Sequence, residues 1–135
     1  MPKITDLVGL GIESSKAQFL AVDDPTSAPT RATKVGLTST GATLAAALEL
    51  TAFNSIITVS GVSTSVRLPT IWPIGQMGII DNRGANTVSL FPPTAAMTIN
   101  GGSAGAAVTI VAGNLNLVVR VSATDFSATV LAKET

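Results

Sequence analysis

The sequence predicts an all-β protein: an antiparallel β-sandwich or barrel of the jelly-roll kind over residues 41–135, preceded by an extended N-terminal arm and linker over residues 1–40. Three observations carry that expectation. Turn-forming residues recur from Gly41 onward, at Gly61, Pro69, Gly75, Asn82 to Asn86, Pro92-Pro93, Asn100-Gly101-Gly102, Gly113-Asn114 and Ala123 to Asp125. Their spacing, roughly eight to twelve residues, suits short strands joined by turns. The segments between them alternate apolar and polar residues, the period of a half-buried strand. Finally, Met1 to Lys34 holds as many charged residues as all the rest of the chain, together with three of the seven prolines, which marks a boundary.

Taken in order, the arm begins with ITDLVGLGIES and continues through Ser14-Ser15 and KAQFLA, where a serine hydroxyl suits the cap of a helical turn or two. DDPTSAPT follows as extended linker, because each residue before a proline is pushed out of the helical region. ATLAAALEL has helix-favouring composition, yet Leu44, Ala46, Leu48 and Leu50 alternate against Ala45, Ala47, Glu49 and Thr51, and a strand is the preferred reading. The clearest strand is LNLVVRVS, with Leu115, Leu117, Val119 and Val121 on one face and Asn116, Val118, Arg120 and Ser122 on the other. The same alternation places Ile57 and Val59, Val66 and Leu68, Val88 and Leu90, Met97 and Ile99, Val108 and Ile110, and Phe126, Ala128 and Val130 in the core. GGSAGAA reads as a loop between strands, and no repeat of solenoid period is visible.

Composition excludes several kinds of function. The formal net charge is zero and the basic residues are scattered singly, without the Lys/Arg stripe that phosphate neutralisation needs, so nucleic acid is not an expected partner. No apolar run approaches the roughly 18 residues of a membrane span, and ITDLVGLGI carries Asp6 and lacks the flanks of a signal peptide, so neither a membrane nor secretion is expected. The chain has no cysteine and no histidine, which removes disulfides, thiolate chemistry, Ser-His-Asp catalysis and the commonest metal ligands. Carboxylates remain: Asp6, Glu13, Asp23, Asp24, Glu49, Asp81, Asp125 and Glu134, of which only Asp23 and Asp24 are adjacent, beside Pro25. No catalytic residue, cofactor or metal site is expected. Charged residues are only 12% of the chain, about half the ~25% usual in soluble domains. Ser, Thr, Asn, Gly and Ala must therefore cover a neutral, easily buried surface. A core built mostly of Val, Ile, Leu and Ala in so small a domain does little more than offset conformational entropy, so self-association would help.

A few residues invite a closer reading. Asp81, Asn82 and Asn86 in DNRGANTVSLFPP could offer oxygen ligands, but a calcium loop needs several carboxylates at alternate positions, and the stretch reads instead as a hairpin between a strand ending near Ile80 and one starting at Thr87. Asn82, Gly84 and Asn86 would serve there by tolerating left-handed backbone. Trp72, the only tryptophan, suits a buried core or interface position better than a sugar platform, since no tyrosine assists it. Arg67, Arg83 and Arg120 sit in or beside strands, where each either pairs across a subunit boundary or lies on a solvated strand face. Gly9 and Gly11 form a lone G-x-G without the strand, third glycine or helix of a nucleotide loop.

Two pieces of the chain resemble the capsid decoration, or cement, proteins of tailed bacteriophages and related small head-surface proteins. The first is ITDLVGLGIESSKAQFLA. The second runs from SVRLP through GIIDNRGANTVSLFPPTAAMTINGG to AVTIVAGNLNLVVRVSATDFSATVLA, with an R-L-P strand, an N-x-G-A-N turn, an aromatic-Pro-Pro strand, an I-N-G turn and a final aromatic-bearing strand. Where such proteins often carry Trp or Tyr in the last strand, this chain has Phe126. The resemblance implies a homotrimer on the outer surface of the mature head, at threefold and quasi-threefold positions, where it stabilises the shell by bridging neighbouring major capsid subunits. Under that resemblance Ile4, Leu7, Val8, Leu10 and Ile12 would anchor the arm on the capsid, with Asp6, Glu13 and Lys16 pairing at the rim. Arg67, Trp72, Asp81, Arg83 and Arg120 would be candidates for the subunit interface. Two other functions compete: a receptor- or glycan-binding module of a phage fibre or spike, which would want exposed aromatics, and a carboxylate-dependent hydrolase, which would need two acids converging across a cleft.

Overall fold

The computed structural model describes residues 30–131. Ten strands follow one another: β1 (Thr30–Thr38), β2 (Leu48–Glu49), β3 (Ala52–Val59), β4 (Thr64–Arg67), β5 (Met77–Asn82), β6 (Val88–Phe91), β7 (Thr98–Ile99), β8 (Val108–Ile110), β9 (Leu115–Arg120) and β10 (Asp125–Leu131). The protein is all-β, as its alternation predicts, and no helix occurs among the described residues. The connectivity is not that of a jelly roll. The first nine strands alternate between a six-stranded sheet, ordered β1-β3-β5-β9-β10-β7, and a four-stranded sheet, ordered β2-β4-β6-β8, and β10 stays in the larger one.

The first six strands run parallel within each sheet: β1 beside β3 beside β5, and β2 beside β4 beside β6. The chain therefore crosses from one sheet to the other and back, laying down three rungs of a flattened solenoid. Antiparallel pairing between strands comes at the end, where β8 closes on β6, β9 on β5 and β10 on β9, and earlier there is a single antiparallel bridge between Thr40 and Ser65. The antiparallel sandwich or barrel expected from sequence is thus corrected to a parallel, solenoid-like stack with an antiparallel cap. The rungs are unequal, since Leu48 stands beside Val66 and Val66 beside Leu90. Unequal steps erase the fixed period by which a solenoid is recognised in sequence.

Between the sheets, like side chains stack from rung to rung. Leu48, Val66, Leu90 and Val108 form one cross-strand row of the smaller sheet, and Val88 and Ile110 share the next. They meet Ile57, Ile80, Val118 and Phe126 of the larger sheet in one apolar cluster that also holds Leu50, Leu68, Trp72 and Ile99. Each fully buried aliphatic or phenyl side chain contributes about 1.5–3 kcal/mol. Trp72 lies edge-on to Phe53, ring centroids 5.9 Å apart, and tilted against Phe126 at 6.5 Å. Gly78 makes room for it, because a Cβ there would stand 2.3 Å from the indole and 2.2 Å from the Phe53 carbonyl oxygen.

Several sequence expectations shift. The stripe in β9 has the right period and the opposite phase. Val118 stands opposite Gly78 and Asn116 opposite Ile80, on the side that faces the second sheet, so Leu115, Leu117 and Val119 point outward. A one-residue change of phase sends every side chain to the other face, and the apolar character of both β9 faces hid it. Val59, Val121 and Val130 are likewise exposed. Of ATLAAALEL only Leu48 and Glu49 are strand, the rest being a turn ahead of buried Leu50. Residues 30–38, expected in the arm, form β1 of the larger sheet.

The most consequential change concerns residues 82–88, which form a corner between two sheets and not a hairpin within one. Asn82 and Asn86 are not in the left-handed region, which among the described non-glycine residues holds only Ser63 and Asn100. They are there for their amides. The Asn82 side chain, fully buried, donates to the carbonyls of Asn86 (2.9 Å) and Ile110 (3.1 Å) and accepts from the Gly84 N–H (3.1 Å). Asn86 donates its side-chain amide to the Ser60 carbonyl (2.7 Å) and its backbone N–H to the Ser60 hydroxyl (2.8 Å), which in turn donates to the Asn86 carbonyl. Gly84 is present because the chain passes so near: a Cβ would lie 2.2 Å from Ser60 Oγ.

Asn82→Ala removes three side-chain hydrogen bonds to backbone groups, leaving the Asn86 carbonyl only the Ser60 hydroxyl and the Gly84 N–H without its side-chain acceptor, and is expected to lower stability by about 3 kcal/mol. Gly84→Ala is expected to be comparably damaging through overlap with Ser60. Val62→Ala, in the preceding corner, should change stability by less than about 0.5 kcal/mol. Urea unfolding followed by the fluorescence of the single tryptophan measures all three, and an Asn82→Ala protein as stable as the wild type would remove the corner from this account.

Candidate interaction surface

Lys34, Glu49, Arg67, Asp81, Arg83, Arg120 and Asp125 each have a partner within the chain, Lys34 donating to the Thr51 hydroxyl at 2.5 Å. Arg67 on β4 donates to Glu49 on the neighbouring β2 at 2.5 Å, both partly exposed. Arg83 donates its Nε to Asp81 Oδ2 at 2.6 Å, with Asp81 only 4% exposed and the second oxygen, Oδ1, buried without a donor. Asp125 accepts from the Thr98 hydroxyl at 2.5 Å and from the Gly101 N–H at 3.2 Å, tying β10 to the turn after β7.

Arg120, at the end of β9, is the most heavily used. Its guanidinium donates to the carbonyls of Thr70 (3.1 Å), Trp72, Ser122 (3.2 Å) and Ala123 (2.9 Å), and its carbon lies 5.6 Å from the centre of the Phe126 ring. The rigid fork of five donors fits this set of carbonyls, and the ring face adds a cation–π contact. Arg120 thereby fastens the 68–76 segment over Trp72. The expected subunit-interface candidates Arg67, Trp72, Asp81, Arg83 and Arg120 are therefore all engaged within the chain. Trp72, at 1% exposure, has no ring surface left for a neighbouring subunit. Arg83, with its side chain 60% exposed, is the one that still reaches the surface appreciably.

What the strands do present is a face. On the side of the six-stranded sheet away from the core, three cross-strand rows can be followed: Met77, Val119 and Ser127; Asn54, Ile79, Leu117 and Thr129; and Ile56, Asp81, Leu115 and Leu131. The middle strands supply the apolar residues, and Asn54, Ser127 and Thr129 form a polar margin. Met77 is 58% exposed and Leu131 38%, while Ile79, Leu115, Leu117 and Val119 are half-buried among themselves. The only ionisable side chain in the rows is Asp81, which is closed off by Arg83. At this end a depression of about 200 Å3 is lined by Thr33, Asn54, Ser55, Ile56, Ile79, Asp81, Arg83 and Leu115. It contains a single carboxylate.

The opposite face of the molecule differs in kind. The outer side of the four-stranded sheet carries Ser89 and Thr109 in one row, beside Ser65, which is buried under Thr40 and Gly41, and the Arg67–Glu49 pair with Phe91 in another. Among the described residues Trp72 and Phe126 are buried and Phe53 and Phe91 half-buried, so no fully exposed aromatic stands ready to stack on a sugar. No cluster of three or more Asp or Glu occurs among them. The capsid-contact candidates Ile4, Asp6, Leu7, Val8, Leu10, Ile12, Glu13 and Lys16 lie outside the described residues.

Fold and surface together define an all-β, solenoid-like protein of two sheets that presents an uncharged, partly apolar sheet face. No family model, no curated protein and no solved structure matches the chain. Sequence reasoning missed that face because Leu115, Leu117 and Val119 were assigned to the core. A usable signal was present in β9, where Val118 makes both sides of the strand apolar.

Arg120→Lys keeps the charge but cannot serve four carbonyls, and is expected to cost about 2 kcal/mol and to red-shift the Trp72 emission. Glu49→Gln, at the exposed pair, should cost under about 0.5 kcal/mol. Denaturant titration with emission spectra of both variants checks the contrast, and equal losses would contradict it.

Proposed function

We propose that this chain is a structural virion protein that binds the outside of the mature head of a tailed bacteriophage as a homotrimer, at threefold and quasi-threefold positions, and stabilises the shell by bridging neighbouring major capsid subunits. It acts by binding and catalyses nothing. The observation that supports this most is the distribution of charge: Arg67, Arg83, Arg120, Glu49, Asp81 and Asp125 are committed to internal contacts, leaving a body with a neutral, partly apolar sheet face. Such a surface suits burial against protein.

The residues behind the resemblance add support, because they have structural jobs that a small rigid head-surface body needs. Leu68 and Pro69 close β4 in the core, Asn82 to Asn86 build a corner, and Pro92-Pro93 are buried after β6. Asn100 bonds both ways with the Ala128 backbone, at 2.7 and 3.0 Å, in place of a missing strand. A protein that binds only the expanded shell stabilises it by linkage. Threefold symmetry lets several weak contacts act as one avid attachment.

In this reading the N-terminal residues Ile4 to Ile12 make the apolar contact with the capsid, flanked by Glu13 and Lys16. Purified protein added to undecorated expanded heads and imaged should give density at threefold positions. Deleting Met1 to Ala21 should leave unfolding unchanged and weaken head binding at least tenfold, equivalent to about 1.4 kcal/mol. Equal binding by the truncated chain would refute the arm's role, and heads bare of density would refute the function.

A further inference from the structure

The outer face of the six-stranded sheet is apolar along β5 and β9, which pair antiparallel. An antiparallel sheet with one solvated face ordinarily turns polar residues to that side, and here Met77, Ile79, Leu115, Leu117 and Val119 take their place. Here one face lies on the smaller sheet, and the other is bare among the described residues. We propose that this face, centred on Ile79 and Leu117 and bounded by Met77, Leu115, Val119 and Leu131, is where neighbouring copies of the chain meet. The proposal deepens the reading of the chain as a self-associating structural protein, and rests on that reading only for its functional meaning.

Two features argue for another copy as the occupant. The first is charge. In the three rows the only ionisable group, Asp81, is already neutralised by Arg83 of the same chain, so the face has no charge to attract a charged partner and none to repel its own image. A surface that is uncharged and apolar at its centre, with Asn54, Ser127 and Thr129 at its margin, is complementary to itself. The second is area. The strands β3, β5, β9 and β10 span about 19 Å across, and three rows span about 20 Å along, or about 400 Å2 of sheet before side-chain relief is counted. Two such faces bury on the order of 1,000 Å2, the lower bound for a specific interface.

Sedimentation or light scattering of the full chain, without heads, tests this. The expected mass is a multiple of 13.6 kDa. Leu117→Glu, which sets a charge at the centre of the face, should raise the dissociation constant at least about 100-fold. Where Leu117→Glu fails to fold, Met77→Lys at the exposed edge of the same face gives the reading. Val62→Glu, in a corner away from the face and 81% exposed, should leave the mass unchanged. A wild-type chain that stays a single 13.6 kDa species, or a folded face variant that keeps the assembled mass, overturns the proposal. A mass of three chains places the face around a threefold axis, and a mass of two places it face to face. Both sustain the proposal, while the second would refute the homotrimer. Assembly through this face by a protein that leaves heads bare would refute the capsid reading and leave the interface standing.

Discussion

Each time the chain leaves one sheet for the other, it carries backbone N–H and C=O groups through a corner where no ladder partner waits, and buried groups of that kind must find partners. The fold depends on how the corners solve this. They stack, and each supplies partners to the one before it. Ser39 donates its N–H to the Val59 carbonyl (3.0 Å), and its hydroxyl shares a 2.6 Å bond with Thr64. Ser60 then meets Asn86, and Arg83 donates its N–H to the Ile57 carbonyl (2.8 Å). In the last layer Asn82 exchanges backbone bonds with Gly113 and Asn114. A ladder of small polar residues thus runs up one side of the stack, alongside the apolar rows. Without it the parallel pairing of β1, β3 and β5 would have no fixed register, because a short apolar row alone tolerates a two-residue slip.

The same constraint accounts for how the stack ends. A solenoid left open at a rung exposes a row of unpaired strand groups. At one end β8, β9 and β10 reverse direction and close on β6 and β5, and the Asn100 amide completes the pairing of β10 where β7 stops. At the other end β1 is an edge among the described residues. Its pairing with β3 shifts register between Thr30 and Thr33, between Lys34 and Leu37, and again before Thr38, with Gly36 at φ +80° in the middle. An irregular, bulged edge bearing a lysine is a poor template for further strands. That asymmetry favours the proposed association through the sheet face over association through the edge.

Much of this was legible in the sequence, though not its three-dimensional sense. Strand positions, the loop at GGSAGAA and most of the core, from Ile57 and Val66 to Ile110 and Phe126, follow from period-two alternation and turn chemistry. What alternation cannot convey is which strands are neighbours. The residues Asp81 to Val88 look the same whether the chain doubles back in one sheet or crosses to another, since both need small and polar residues. The difference lies in Ser60, more than twenty positions away, whose hydroxyl meets Asn86. Phase failed for a related reason: β9 is apolar on both sides, so its inward face is decided by Gly78 and Ile80 on β5 and not by β9 itself. Arg120 was read as a surface or interface charge because its four carbonyl partners come from loops that only the fold brings together.

That internal use of charge bears directly on where function can reside. Here Asp81 Oδ1, Ser55 Oγ, Asn116 Nδ2 and the Trp72 indole N–H are buried without partners among the described residues. They do not converge: Ser55 and Asn116 flank Ile80 on the inner face, Trp72 is sealed by Gly78 and Phe53, and Asp81 looks outward beneath Arg83. Scattered singly, they are costs the core tolerates. On the proposed reading the body holds its position against neighbouring protein, and its hydrogen-bonded corners and locally paired charges would serve that role because groups already fixed in place lose little freedom on contact.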